Sequence, residues 1–146
     1  QVDAAAASRL LDQALDLLAM TLADRLHARL PDQSVHRSAL LYRLKNHILT
    51  HLADPELSLP RAAAATGISP RYASDLMAAE QTSFRGYVQT QRLERCRRDL
   101  ADPANQARHI GEIAFAWGFN DLAHFSRIFK QRFGVSPREW REQPRQ

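Results

Sequence analysis

Arg127 and Lys130 stand three residues apart in the stretch running from Asn120 to Lys130, and the chemistry they offer is recognition. An arginine guanidinium can grip guanine through two hydrogen bonds, or clamp a phosphate equally well. Ser126 adds a hydroxyl beside them, and Leu122 and Ala123 add an apolar edge without a polar code. Bond-making chemistry finds no comparable set. The six histidines are scattered, none is arranged with Ser, Cys or Asp in a catalytic pattern, and there is no Gly-rich phosphate loop. His47 and His51 sit one helical turn apart, a spacing that can hold a metal, yet no carboxylate or Cys nearby in sequence completes such a site. Surface or interface histidines are the preferred reading. No catalytic residue, metal or cofactor is therefore expected.

The elements that position Arg127 are legible around it. Ile110, Ile113, Ala114 and Trp117 recur at helical spacing, Gly118 breaks that helix, and Phe119 can fold back onto its apolar face. Asn120 is expected to cap a second helix. There Leu122, Phe125, Ile128 or Phe129, and Phe133 form an apolar stripe that leaves Ser126, Arg127 and Lys130 outward. Trp117, Phe119, Phe125, Phe129 and Phe133 read as core, not as base-stacking platforms. Ser136-Pro137 then caps and starts a third helix through Trp140. Helix, tight turn, helix is the layout that sets a recognition helix in the DNA major groove, although ordinary helical hairpins share it. The pattern occurs twice. Upstream, Ala63, Gly67, Ile68, Ser69, Leu76 and Met77 match Ala114, Gly118, Phe119, Asn120, Ile128 and Phe129, and residues 83–87 match residues 136–140.

The two units, the intervening RLERCRRDLADP and above all IAFAWGFNDLAHFSRIFKQRFGVSPREWR resemble the C-terminal DNA-binding domain of the AraC/XylS family of bacterial transcription regulators. The resemblance covers residues 38 to 142. It implies an all-α domain of about seven helices in which two helix-turn-helix units, 57–81 and 109–133, are joined by one long helix, 83–101. It also implies recognition helices in successive major grooves of double-stranded DNA, contact with RNA polymerase, and DNA-facing roles for Arg71, Ser74 and Asp75 in the first unit. In the second unit it places Leu122, Ala123, Ser126 and Arg127 against the bases. Asn120 and Lys130 complete the DNA-facing set. The first unit departs from the family pattern. Ser74 and Asp75 stand where His and Arg are frequent, and Gln81 replaces the usual Gly before Thr82-Ser83-Phe84. An acidic side chain near phosphates repels them unless it accepts from a cytosine or pairs with Arg71 one turn earlier.

The rest of the chain fits this frame. Its 146 residues suit one domain with an appendage and can bury about two-thirds of the unfolded chain's surface. Residues 1–57 carry six Lys/Arg and seven Asp/Glu. Residues 58–146 carry fourteen and nine, so the basic excess travels with the repeats. A lone Cys96 excludes an internal disulfide, and no apolar run reaches membrane length, which points to the cytoplasm. Cys96 itself reads as a small buried thiol on the apolar face of the joining helix.

The chain starts at Gln1 without Met and is expected to be a fragment of something longer. Residues 1–34 are expected to hold a helix, about 3–30, capped by Asp3 and striped with Leu11, Leu15, Leu18, Leu22 and Leu26, with Pro31-Asp32-Gln33-Ser34 as boundary. Such a face should pack on the domain, on an absent effector domain, or on a second copy; a homodimer is the preferred reading. Residues 35–146 are the expected DNA-binding domain, beginning with a helix over 35–53. Of Arg92, Arg95, Arg97 and Arg98, some are expected to pair with Glu94 and Asp99 and one or two to reach phosphate. The expected function is a sequence-specific regulator, an activator by the resemblance. The alternative is an interaction module with weak DNA binding through one unit.

Overall fold

The structure, a computed structural model, describes residues 3–27 and 33–144. Among them the chain is all-helical, with no strand. α1 (Ala4–His27) is followed by α2 (Gln33–Thr50), α3 (Leu59–Thr66), α4 (Pro70–Ala79), α5 (Phe84–Ala101), α6 (Ile110–Ala116), α7 (Leu122–Phe133) and α8 (Pro137–Glu142). A short 3-10 turn, Pro103–Asn105, separates α5 from α6. The seven helices from α2 to α8 match the number that the family resemblance implies. α1 is the extra N-terminal one. Pro31 and Asp32, half of the expected boundary, lie outside the described residues, while Gln33 and Ser34 already belong to α2.

The chain divides into two compact units. The first comprises Gln1–His47 and Ser58–Phe84. Its helix-turn-helix is built from caps at each end. Ser58 is extended and its side chain accepts from the Arg61 N–H, Pro60 sits in the first turn of α3, and Gly67 ends that helix at φ +80. Ile68 then donates back to the Ala63 carbonyl at 3.1 Å, which turns its side chain into the interior. Ser69 caps α4 by accepting from the Tyr72 N–H at 3.1 Å. Inside this unit Leu40, Leu41 and Leu44 of α2, Ala62 and Ala63 of α3, and Tyr72, Ala73, Leu76 and Met77 of α4 are buried. α4 closes through Gln81, which adopts φ +58, with the Thr82 N–H bonding back to the Met77 carbonyl at 3.2 Å. A side chain in this left-handed region carries a strain of about 1–2 kcal/mol that Gly avoids.

α1 starts as expected, with the Asp3 carboxylate accepting from the Ala5 N–H at 3.4 Å. Its leucines, Leu10 to Leu26, stay between 54 and 64% exposed. Near its end, Asp24 accepts a hydrogen bond from the Ser69 hydroxyl at the start of α4.

The second unit comprises Ile48–Leu57 and Arg85–Gln146. Leu93, Cys96 and Leu100 of α5, Ile113 and Ala114 of α6, and Phe125, Ile128 and Phe129 of α7 form its core. An aromatic ladder crosses it, with centroids 5.0 Å apart from Phe119 to Phe125, 5.7 Å to Phe129 and 4.6 Å to Phe133. Phe125 and Phe129 are fully buried, and truncating either to Ala removes about 3–5 kcal/mol of packing. The two indoles satisfy their N–H groups on α5: Trp117 donates to the Asp99 carboxylate at 2.7 Å and Trp140 to the Arg97 carbonyl at 3.0 Å. Burial pushes the Cys96 thiol up to about 12, so it sits in the core as a neutral apolar group.

Candidate nucleic-acid interface

Anchoring fixes the orientation of α7. Phe125, Ile128 and Phe129 point into the core, so their helical neighbours Ala123, Arg127 and Lys130 are left exposed. Leu122, at the helix start, is 42% exposed and belongs to this outer face more than to the apolar stripe in which its spacing had placed it. Ser126 is only half outward. Its flank leans toward the packed side. Arg127 has no carboxylate partner in reach among the described residues. Its guanidinium lies 3.2 Å from Nδ1 of His124.

The cap of α7 differs from the expectation. Asp121, not Asn120, is extended at φ −138 and accepts from the His124 N–H at 3.0 Å. The reason lies one turn earlier. Gly118 at φ +95 and Phe119, which donates to the Ala114 carbonyl at 3.1 Å, complete the closure of α6, and one more residue is needed before the chain can start a new helix. Asn120 is that residue, exposed in the turn. Aligning the units on their caps, Ser69 with Asp121, places Arg71 at the position of Ala123, Ser74 at that of Ser126, and Asp75 at that of Arg127. The two helices thus carry opposite charges at the same position. Counted back instead from Ser83 and Ser136, which match in the repeat, Gln81 corresponds to Gly134, whose φ is +82.

On α4, Arg71, Ser74 and Asp75 are all exposed, as their spacing requires. Among the described residues no ion pair joins Asp75 to Arg71. Both instead border an open hollow of about 490 Å³ shared with Arg25 and Asp24 of α1 and Arg37 of α2. The carboxylate of Asp24 therefore stands at the positive end of α4, where a phosphate would otherwise find the helix N-terminus.

The four arginines between residues 92 and 98 of α5 meet the expectation in part, since Arg97 pairs with Glu94. Arg92 donates to the Leu52 and Asp54 carbonyls, each at 2.8 Å. Arg95 lies over the Trp117 ring, and Arg97 pairs with Glu94 at 2.8 Å while covering Phe133 and Trp140. Arg98 is left exposed. Asp99 receives the Trp117 indole, which spacing alone had not suggested. Phe115, 51% exposed on α6, was also missed. It flanks Gly111, from which Leu122 is reached on the other side, so an apolar spot continues from α6 onto the start of α7. A run reading Ile-Ala-Phe-Ala signals only helix, and the exposure of its Phe depends on which face the core takes.

Comparison with known proteins agrees with this geometry. A family described as a helix-turn-helix domain matches residues 62–143. The chain is 36% identical over 130 residues to a transcriptional activator, NphR, of a Rhodococcus species, covering 89% of this chain and 38% of that protein. It is 35% identical over 98 residues to the transcriptional activator RhrA of Rhizobium meliloti, covering 67% of this chain and 31% of that one. The chain thus spans about a third of the length of these curated relatives. Among solved structures, a transcriptional regulator with an AraC-type DNA-binding domain from Chromobacterium violaceum superposes with a TM-score of 0.66 at 27% identity, over 76% of this chain and 99% of that one. The C-terminal domain of the response regulator AraT of Geobacillus stearothermophilus gives 0.63 at 29% identity, over 70% and 83%.

Proposed function

We propose, on the premise that this chain belongs to the AraC-type helix-turn-helix family of bacterial transcription regulators, that it binds an asymmetric double-stranded DNA site through α4 and α7, with α7 dominating specificity. The observation that carries this reading is the outer face of α7. Arg127 and Lys130 are exposed and Leu122 is in large part, on a helix whose other side is anchored by Phe125 and Phe129. A rigid helix with an arginine facing outward can hold the planar geometry that a guanine demands, and a good bidentate pair contributes about 1–3 kcal/mol of discrimination. Leu122 and Ala123 offer apolar contact to thymine methyls, Asn120 and Ser126 add hydrogen-bonding groups beside them, and Lys130 supplies charge toward the backbone. Arg71, Ser74 and Asp75 form the corresponding face of α4. The protein acts in the cytoplasm, as an activator in contact with RNA polymerase, and self-associates through the exposed leucines of α1.

One observation favours a second reading. Asp24 occupies the N-terminus of α4 and Asp75 stands at the position of Arg127, so the first unit carries acid where backbone contact needs base. In that reading α4 serves an interaction surface and DNA is gripped by the second unit alone. The salt dependence of binding separates the two. Each phosphate neutralised steepens the slope of log K against log salt by about 0.9, so two docked units give a slope steeper by several contacts than α7 alone can supply. A slope equivalent to only two or three phosphates contradicts the two-unit reading.

A further inference from the structure

Of the five α5 arginines, Arg92, Arg95 and Arg97 are committed to protein groups, which leaves Arg85 and Arg98 to turn charge outward from that helix. Arg85 and Gln89 lie one helical turn apart near the start of α5 and line a hollow of about 240 Å³ within the second unit. Asn120 and His124 line it from the other side, at the turn into α7 and in that helix's first turn. Arg85 is exposed, and among the described residues it has no ion-pair partner. Arg92 adds a charge to the wall while its guanidinium holds the Leu52 and Asp54 carbonyls. The carboxylates in this region are turned to other work: Asp121 accepts from the His124 N–H, and Asp54 accepts from the Glu56 N–H at 2.9 Å. His124 meanwhile touches Arg127, so the hollow adjoins the outer face of α7.

We propose that this hollow seats one backbone phosphate of duplex DNA. Arg85 is its charge-bearing ligand, and Gln89 and Asn120 are neutral donors. The inference rests on α7 being the recognition helix and assigns the contact that fixes its register along the groove. A phosphate here carries no base information, so its loss weakens all sequences alike.

The test uses the full chain and a duplex that it selects from a random pool. Wild type should show a salt slope about 0.9 steeper than Arg85→Ala, so that the affinity ratio between them falls about 3.5-fold as salt rises from 50 to 200 mM, while both select the same motif. Arg85→Lys should keep the slope. Replacing single phosphates by neutral methylphosphonates should reveal one position that weakens wild type and leaves Arg85→Ala unaffected. Equal slopes for wild type and Arg85→Ala, or no such position, overturn the phosphate site while the DNA-reading function stands. A free-anion site is the result if inorganic phosphate binds at the hollow but Arg85→Ala leaves the DNA slope unchanged, and that too overturns the proposal. If wild type selects no duplex at all, the site falls together with the reading it rests on.

Discussion

Gly118→Ala should be the costliest of the three positive-φ glycine substitutions, and the reason is a pinned side chain. Gly67, Gly118 and Gly134 all have positive φ, at +80, +95 and +82, so an added Cβ imposes a backbone strain of about 1–2 kcal/mol at each. At Gly67 and Gly134 it would meet nothing within 4 Å. At Gly118 it would fall 2.7 Å from Cζ of Arg92 and 2.8 Å from its Nη2. A long side chain normally swings away from such a clash at little cost. Arg92 cannot, because two hydrogen bonds to the Leu52 and Asp54 carbonyls fix its guanidinium, and burial already disfavours its charge. Displacing it gives up charge-assisted bonds of about 1.5–3 kcal/mol each, though water recovers part of that loss. The expected total for Gly118→Ala is about 3–5 kcal/mol, against about 1–2 for Gly67→Ala or Gly134→Ala. Urea denaturation of the three variants measures this. Adding Arg92→Ala to Gly118→Ala should then cost less than the sum of the two single changes, since the clash and the bonds vanish together. Equal costs at Gly67 and Gly118, or full additivity with Arg92→Ala, would refute the pinned-arginine argument.

Three further outcomes follow from single residues. Asp121→Ala should destabilise the second unit by about 1 kcal/mol through loss of the α7 cap, whereas Asn120→Ala should leave its denaturation midpoint unchanged. Gln81→Gly should stabilise the first unit by about 0.5–1 kcal/mol by relieving its left-handed strain, read as a raised midpoint at constant m-value. The Cys96 thiol, raised from about 9 in the unfolded chain to about 12 in the fold, keeps its proton longer when folded. The folded state therefore binds more protons between those values, and stability should fall with rising pH in that window, by at most about 1.4 kcal/mol per unit. Cys96→Ala should flatten this alkaline loss when urea midpoints are compared at pH 8 and pH 10.5. An identical pH slope in the two proteins would contradict it.

Where local chemistry decides an element, the sequence was enough to read it. Ser69 and Ser136 each stand directly before a proline and each caps a helix, and Gly67 and Gly118 each end one. The strain at Gln81 was visible as a missing glycine. The misplaced cap at Asn120 shows where local reading stops. Asn and Asp both cap well, and only the number of residues consumed in closing α6 selects the second. Long cationic side chains were harder still. Arg92, Arg95 and Arg97 have equal claims to solvent in a linear pattern, and it is the tertiary positions of two carbonyls and three aromatic rings that commit them. Arg85 went unnoticed for the complementary reason, since the hollow it borders is assembled from residues some 35 positions away in sequence.

Selection of bound sequences from a random duplex pool, with wild type, Arg127→Ala and Asp75→Ala in parallel at fixed salt, bears most directly on the central claim. The account predicts a motif spanning two turns of the major groove, with one half blurred by Arg127→Ala and the other altered by Asp75→Ala. A single half-site unchanged by Asp75→Ala would leave α7 as the only reader, and a pool with no enrichment would contradict sequence-specific recognition by this chain.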